Sequence, residues 1–461
     1  MEERSLKFVV HACGAELRTQ TGEASVKNVC TDSRQARPGD LFFAIRGERH
    51  DGHDFLEEVA AKKVAGMVIE RKRVPAQPAA GNVLVVDDTR AALGKLAAAY
   101  RAQFEPQVIG VAGSNGKTTT KELLASVLRQ KFPTLASEAS FNNDIGVPLT
   151  LLRLERLHRA AVLEAGTNHP GELAPLVVMM RPKIGVLTNI GREHLEFFGD
   201  LEGVAREEGW LAELLPAEGT LVVAGDNEWT RKIVQRARAK IVRVGIGKDN
   251  DWQAEKIRLD KNGATFRIVA RNEGFNGEYR VNLLGRHQVV NALFAVAVGE
   301  ELGLGRAEIQ RGLAECKPPK MRLQYWEANG VRVLDDCYNA NADSMMAALE
   351  TLRDLPLQGR RVAVLGDMGE LGAQSVAAHQ EVGRRAAELK IGQLFAVGNM
   401  APVMGRAARE AGLTRVIEFD SVEAAMNAVK NFVKAGDVIL LKASRALRLE
   451  RIAETLRPEK L

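Results

Sequence analysis

The run Gly110-Val-Ala-Gly-Ser-Asn-Gly-Lys-Thr-Thr-Thr-Lys-Glu122 combines residue types that grip phosphate. Glycines let successive backbone N–H groups turn toward one anionic centre, and the N-terminus of a following helix adds positive potential. The expected nucleotide contacts are Gly113, Ser114, Asn115, Gly116, Lys117, Thr118 and Thr119. Lys117 can reach terminal phosphates, and the Thr118 hydroxyl can hold Mg²⁺. The strict phosphate-loop pattern wants a glycine at Val111, whereas the glycines here are Gly110, Gly113 and Gly116. The loop therefore belongs to a variant class, and nucleotide binding alone does not name a function.

Further polar groups cluster just after apolar runs. Glu164 closes the run Ala160-Ala-Val-Leu163, and a carboxylate at the carboxyl end of a parallel strand faces the crevice where ligands bind. It is either a Mg²⁺ ligand beside Thr118 or a solvated or capping glutamate. His194, in Thr188-Asn-Ile-Gly-Arg-Glu-His194-Leu-Glu196, either binds a second metal or a phosphate, or is a packed or surface group. Asn142 and Asn143, in Ser140-Phe-Asn-Asn-Asp-Ile-Gly-Val-Pro148, suit sugar, phosphate or amide partners, or a plain turn. His287 and Asn291 share a helix face, where they flank a base or cap the helix. Asp335-Asp-Cys-Tyr-Asn-Ala-Asn-Ala-Asp-Ser344 holds more carboxylate, phenol and amide than a surface turn needs. Lys442-Ala-Ser-Arg445 offers two cations for phosphate or carboxylate groups. His50 and His53 lack a third ligand type, which argues against a metal there.

The elements that must position these groups read as α/β throughout. With 461 residues, 46% hydrophobic and only 5% aromatic, the chain can bury several Ala/Val/Leu-rich cores. Residues 1–102 alternate short apolar runs (Leu41 to Ile45, Met67 to Ile69, Val83 to Val86) with a helical stretch from Phe55 to Lys63, and Val74-Pro-Ala-Gln-Pro is expected to be a surface loop. Residues 103–317 carry expected strands at 107–112, 160–165, 184–189 and 220–224 with helices between, hence a mainly parallel sheet. The stretch 252–284 alternates like antiparallel strands around an Asn262-Gly263 turn. Cys316-Lys-Pro-Pro-Lys320 marks the next junction. Residues 318–461 carry expected strands near 331–335, 361–365, 393–397 and 437–441 and helices near 344–353, 376–389 and 421–434, a Rossmann-like arrangement.

A net charge of +5 suits anionic small substrates and does not demand nucleic acid. Four scattered cysteines without a C-x-x-C fit a reduced, cytoplasmic protein. The acidic N-terminus lacks a signal core, and no apolar run reaches the roughly 18 residues of a membrane span.

Nine segments spread along almost the whole chain resemble the Mur ligases. They are DSR at 32–34, GSNGKTTTKE at 113–122, FNNDIGVPLTLL at 141–152, EAGTNHPGE at 164–172 and TNIGREHLE at 188–196. GRHQVVN at 285–291, DDCYNANADSM at 335–345, LGDMGELG at 365–372 and LKASRALRLE at 441–450 complete the set. DDCYNAN and LGDMGELG are specific for the member that adds D-alanyl-D-alanine. The resemblance implies a monomeric, ATP- and Mg²⁺-dependent amide-bond ligase of peptidoglycan precursor synthesis, with UDP-N-acetylmuramoyl-tripeptide and D-alanyl-D-alanine as partners. It implies an N-terminal domain that binds the UDP end through Ser33, a central ATP-binding phosphate-loop domain and a C-terminal domain that closes over ATP. It further implies Lys117 on the γ-phosphate, Thr118 and Glu164 on one Mg²⁺, and His194 on a second. Asn142 and Asn143 would line the muramoyl-peptide channel. His287, Asn291, Arg322 and Asp336 would complete the nucleotide site, and Tyr338, Asn339 and Asn341 would shape the dipeptide end.

One position departs from the family. Where it usually places a carbamylated lysine, aligning Glu202-Gly-Val-Ala-Arg-Glu-Glu-Gly209 puts Glu208, with Glu207 the alternative if the register slips by one. A glutamate carries the carbamate's charge on a shorter arm, so Glu208 is expected near the second Mg²⁺.

Overall fold

Strands buried on both faces read as continuous apolar runs, and that is how this chain builds its sheets. A computed structural model describes residues 1–19, 24–74 and 81–457. Beyond Val74, the expected loop Val74-Pro-Ala-Gln-Pro lies outside the described residues. The chain divides into two compact units. The first comprises Met1–Gly110, Phe132–Thr167 and Glu172–Lys183, and the second Val111–Lys131, Asn168–Gly171 and Ile184–Leu461.

In the first unit, a five-stranded sheet runs in the order Glu16–Thr19, Val83–Val86, Gly66–Glu70, Asp40–Phe43, Asn28–Cys30. The last four strands are parallel and the first is antiparallel. Every residue of Asp40–Phe43 and of Val83–Val86 is buried. Phe42, Met67, Ile69 and Val85 pack with Leu56 and Val59 of the helix Leu56–Ala61. That helix begins later than its apolar pattern suggests, because Asp51 caps a 3₁₀ turn at Gly52–Phe55 by accepting the His53 N–H at 3.0 Å. The His53 ring is also committed: Nδ1 meets Asp51 Oδ1 at 2.6 Å, and Nε2 accepts the Glu70 N–H at 3.0 Å. Elsewhere in this unit Thr134–Ala136 and Ala160–Glu164 pair in parallel. The latter is buried throughout and delivers Glu164 at its carboxyl end.

The strand Gln107–Ala112 passes from one unit to the other. In the second unit its end is held by the Thr188 N–H on the Ala112 carbonyl at 3.0 Å. Ile184–Leu187, Thr220–Ala224, Lys240–Gly245 and Trp252–Asp260 follow as parallel neighbours. Gly263–Ala270 and Gly277–Val281 then return antiparallel, the excursion expected from 252–284. Gly263 has φ +151°, and a Cβ there would lie 2.1 Å from the Val281 carbonyl oxygen, so only glycine closes that hairpin.

The remainder of the second unit is a six-stranded sheet. Its order is Gln324–Ala328, Val331–Asp335, Val438–Lys442, Arg361–Gly366, Gln393–Val397, Val416–Phe419, parallel except for the first hairpin strand. Its core joins Val333, Val364, Phe395, Ile439 and Leu441 to Val422, Ala425 and Val429 of the helix Val422–Phe432. The edge strands Gln324–Ala328 and Val416–Phe419 add to the expected set. Both are only partly buried, so neither gives a continuous apolar run. The helix Ala401–Glu410 is a further addition. All four cysteines are buried free thiols.

The phosphate-loop helix Lys117–Leu128 packs tightly against the helices His287–Glu301 and Arg306–Glu315. The tightest approach is at Gly312, where a Cβ would lie 2.4 Å from Val127 Cα and where the carbonyl accepts from Ser126 Oγ at 2.7 Å. Alanine at 312 would gain up to about 1 kcal/mol of helix propensity. Forcing it against an immovable backbone costs about 1–3 kcal/mol. Gly312→Ala should therefore lower the melting temperature in circular dichroism, and an unchanged or raised value would contradict this packing.

Candidate active site

The phosphate loop is shaped by two glycines in the left-handed region, Gly113 at φ +111° and Gly116 at φ +85°. A Cβ at 113 would lie 2.5 Å from Thr188 Oγ1, and one at 116 would lie 2.7 Å from Asn291 Oδ1. The segment after Ile184–Leu187 braces the loop. Asn189 accepts the Ser114 N–H on its carbonyl at 2.9 Å and the Asn115 N–H on its side-chain oxygen at 2.8 Å. Gly191 N–H donates to Ser114 Oγ at 2.8 Å. Asn189 went unnoticed in the sequence, although it sits in the same motif as His194.

Three charges surround the loop. Lys117 Nζ lies 3.3 Å from both the Ser114 carbonyl and Glu193 Oε2. Glu208 accepts the Gly113 N–H on Oε2 at 2.6 Å and is completely buried. Burial first, and then the nearby Glu193, push its carboxyl from 4.5 up to about 8, against the opposing pull of Lys117 and Gly113 N–H. Glu207, the alternative register, accepts the Gly171 N–H at 2.9 Å instead. Of the two glutamates, Glu208 is thus the one bonded to the phosphate loop.

The buried polar atoms of this unit without a hydrogen-bond partner among the described residues include Thr118 Oγ1, Asn115 Nδ2, Glu193 Oε1 and Glu208 Oε1. Buried polar groups are normally paired, so orphans on the phosphate loop and on the segments that contact it point to a polar ligand. Thr119 is buried as well.

Within the same unit, the loop after Val331–Asp335 supplies the other expected residues. Asn341 donates from Nδ2 to Asn115 Oδ1 at 2.9 Å, and its own Oδ1 caps the helix Ala342–Asp354 by accepting the Ser344 N–H at 2.8 Å. Lys442, nearly fully buried, pairs with Asp336 at 2.6 Å and donates to the Asn339 carbonyl at 2.9 Å. Asp336 also accepts the Leu323 N–H at 3.0 Å. The Arg322 guanidinium lies 4.1 Å over the Tyr338 ring, between left-handed Met321 and Leu323. Burial holds the His287 imidazole down to about 4, opposed by the pull of Asp336. Asn291 donates to Gln288 Oε1 at 2.8 Å. Arg192 bridges to Asp343 at 2.7 Å and Glu381 at 2.5 Å, and His194 Nδ1 pairs with Glu370. Sequence reasoning passed over Glu193, Arg192 and Glu370, since exposed charges at a loop are usually solvated.

The first unit carries the remaining candidates. Glu164 is buried, accepts from Asn142 Nδ2 at 2.9 Å on one oxygen, and leaves Oε2 without a partner among the described residues. Gly166 permits this contact, since a Cβ there would lie 2.5 Å from Asn142 Nδ2. Asn143 accepts the Gly146 N–H on its side-chain oxygen at 2.9 Å, in the turn that enters the helix Gly146–Leu151. Ser33 is buried in a turn capped by Asp32, and its carbonyl accepts from Lys62 Nζ at 2.6 Å.

Three family descriptions match in series. Residues 25–101 match the Mur ligase family catalytic domain, 111–299 the Mur ligase middle domain and 321–445 the Mur ligase glutamate ligase domain. The chain is 34% identical over 460 residues to the UDP-N-acetylmuramoyl-tripeptide–D-alanyl-D-alanine ligase of Bacillus subtilis, covering 99% of each. It superposes on a crystal structure of MurF from Acinetobacter baumannii with TM-score 0.89, 32% identity and 99% coverage of both chains. The MurF ligase of Thermotoga maritima in complex with ADP matches with TM-score 0.81 and 28% identity over 93% of this chain and 96% of that one.

The raised Glu208 value sets a pH signature. The fold favours the uncharged carboxyl, so its contribution to stability is full below about pH 4.5 and is lost as pH rises to about 8. Glutamine keeps a carbonyl acceptor for Gly113 N–H and cannot ionise. Glu208→Gln should therefore melt at a higher temperature than the parent at pH 8–9, with the gap closing toward pH 5. A pH-independent gap in calorimetry would refute the assignment.

Proposed function

The chain belongs to the Mur ligase family, and we propose that it joins D-alanyl-D-alanine to UDP-N-acetylmuramoyl-tripeptide with conversion of ATP to ADP and phosphate. The single observation that carries this reading is the bond between the phosphate loop and the DDCYNAN loop, Asn115 to Asn341 at 2.9 Å. It sets the motif of the D-alanyl-D-alanine-adding member against the nucleotide-binding one. The ADP complex of the Thermotoga maritima ligase supports the nucleotide assignment.

A carboxylate is a poor acyl donor because its leaving group is oxide. An oxygen of the tripeptide's terminal carboxylate attacks the γ-phosphorus, and the β–γ bridging oxygen departs with ADP. The dipeptide amine then adds to the acyl phosphate carbonyl. As phosphate leaves, the C–N bond remains and the nitrogen gives up a proton. Lys117 and the loop N–H groups neutralise charge on the transferring phosphoryl group. For this Lys117 must exchange Glu193 for phosphate, a shift between two anions that keeps its charge compensated. Asn291 and Asp336 flank the nucleotide, with His287 and Arg322. Tyr338, Asn339 and Asn341 order the incoming dipeptide.

The donor chemistry fits Mg²⁺: Thr118 and Glu164 each present a buried oxygen with no partner among the described residues, the hard ligand type that ion prefers. His194 and Glu208 are the groups for a second ion, and Mg²⁺ when bound would neutralise phosphate charge. We assign residues 1–102, with Ser33, to the UDP end, 103–317, with Asn142 and Asn143, to ATP and the peptide channel, and 318–461 to the dipeptide. Among the described residues no helix is long and apolar enough to cross a membrane. Supply of ATP places the reaction in the cytoplasm, and the chain acts as a monomer.

Lys117→Ala should reduce ligation at least about 10²–10³-fold while leaving the circular dichroism spectrum intact. Near-normal ADP release in the presence of both acceptors would refute the role of Lys117. Glu208 has no amine to carbamylate, so turnover should be indifferent to stripping CO₂ and bicarbonate from the buffer. A clear bicarbonate requirement, with Glu208→Ala still fully active, would overturn its substitution for the carbamate.

A further inference from the structure

The LGDMGELG segment at 365–372 has no part in the chemistry derived above, yet one of its residues reaches the middle domain's histidine. Glu370, in the loop after Arg361–Gly366, hydrogen-bonds through its carboxylate to His194 Nδ1. Its backbone carbonyl accepts the Glu196 N–H at 3.0 Å. Gly372 follows at φ +52°, where a Cβ would come within 3.1 Å of Glu196 Cα, so the two loops touch backbone to backbone. Gln374 Nε2 reaches the Gly199 carbonyl at 3.5 Å along the same seam.

Both partners are also strained. His194 has φ +48° and Glu370 φ +58°. A non-glycine residue in this region is disfavoured and persists only where its surroundings over-determine it. Two facing residues in that state indicate that the contact is specified from both sides. The imidazole is largely enclosed, with 15% of the side chain exposed and Phe198 edge-on at 6.4 Å.

A carboxylate on Nδ1 fixes that nitrogen as the N–H, fixes the ring plane and leaves Nε2 as the free site. Carboxylates commonly do this for histidines that act on metals, and removing them typically costs 10–100-fold in metal affinity or activity. We propose that Glu370 is a positioning residue, which orients His194 Nε2 toward the nucleotide's terminal phosphates and their divalent ion. Docking of the C-terminal domain on the middle domain and completion of the phosphate site are then one event. The proposal rests on the reading of His194 given above.

The Arg192–Asp343 pair crosses the same seam without touching the imidazole, so it serves as the control. Mn²⁺ binding in the presence of ADP is followed by electron paramagnetic resonance, and the His194 tautomer by ¹⁵N chemical shifts of histidine-labelled protein. Glu370→Ala should weaken Mn²⁺ binding about 10–100-fold and lose the Nδ1–H tautomer. Glu370→Gln, whose carbonyl still accepts from Nδ1–H, should recover most of both, and Asp343→Asn should leave the tautomer as in the parent. If His194→Ala weakens Mn²⁺ binding and Glu370→Ala does not, the positioning role fails. If Glu370→Gln is as impaired as Glu370→Ala, it fails as well. Should His194→Ala itself leave Mn²⁺ binding unchanged, the reading of His194 falls, and the proposal with it.

Discussion

Charge compensation around one part-buried lysine, Lys117, governs the middle of this molecule. A loop built to receive a triphosphate concentrates donors: the backbone N–H groups of Gly113 to Thr119 and the ammonium of Lys117. Burying them without an anion costs several kcal/mol per uncompensated charge. Here the compensation is internal. Glu193 stands 3.3 Å from Lys117, and Glu208 accepts the Gly113 N–H. Burial, with the nearby Glu193 adding to it, pushes the Glu208 carboxyl up to about 8. The loop is therefore held in shape by groups whose charge matches that of the ligand it serves.

The second organising element is the segment after Ile184–Leu187, which serves two masters. Asn189 and Gly191 bind the phosphate loop, while Arg192 and His194 bind the C-terminal domain through Asp343, Glu381 and Glu370. These ion pairs are part-exposed, so each contributes only roughly 0–1 kcal/mol. Contacts of that strength hold the seam without locking it. The geometry of the seam is better specified than its strength, because left-handed residues stand on both sides of it.

Much of this was legible from residue order. The parallel strands appear as uninterrupted apolar runs because both of their faces are buried, and the polar groups that follow each run mark its carboxyl end. Glu164, Asp335 and Lys442 were all found in this way. Edge strands such as Gln324–Ala328 and Val416–Phe419 escaped for the converse reason, since most of their residues are only partly buried and their pattern resembles a loop. Asn341 caps a helix and Asn143 holds the turn that enters one, local hydrogen-bonding tasks that sequence cannot separate from ligand contact.

What residue order alone determined is the chemistry on offer: a glycine-lysine-threonine loop, carboxylates at strand ends, and motifs tied to one family. These depend on spacing within a few residues, which the chain's own periodicity fixes. Which charge faces which was decided only in three dimensions. Glu208 and not Glu207 meets the phosphate loop, Glu193 pairs with Lys117, and Glu370 crosses from a distant loop to His194. Those partners are separated by 76 to 176 positions. At such distances only the packing of sheets and helices selects who meets whom, because electrostatic and hydrogen-bonding preferences act over a few ångströms and carry no address along the chain.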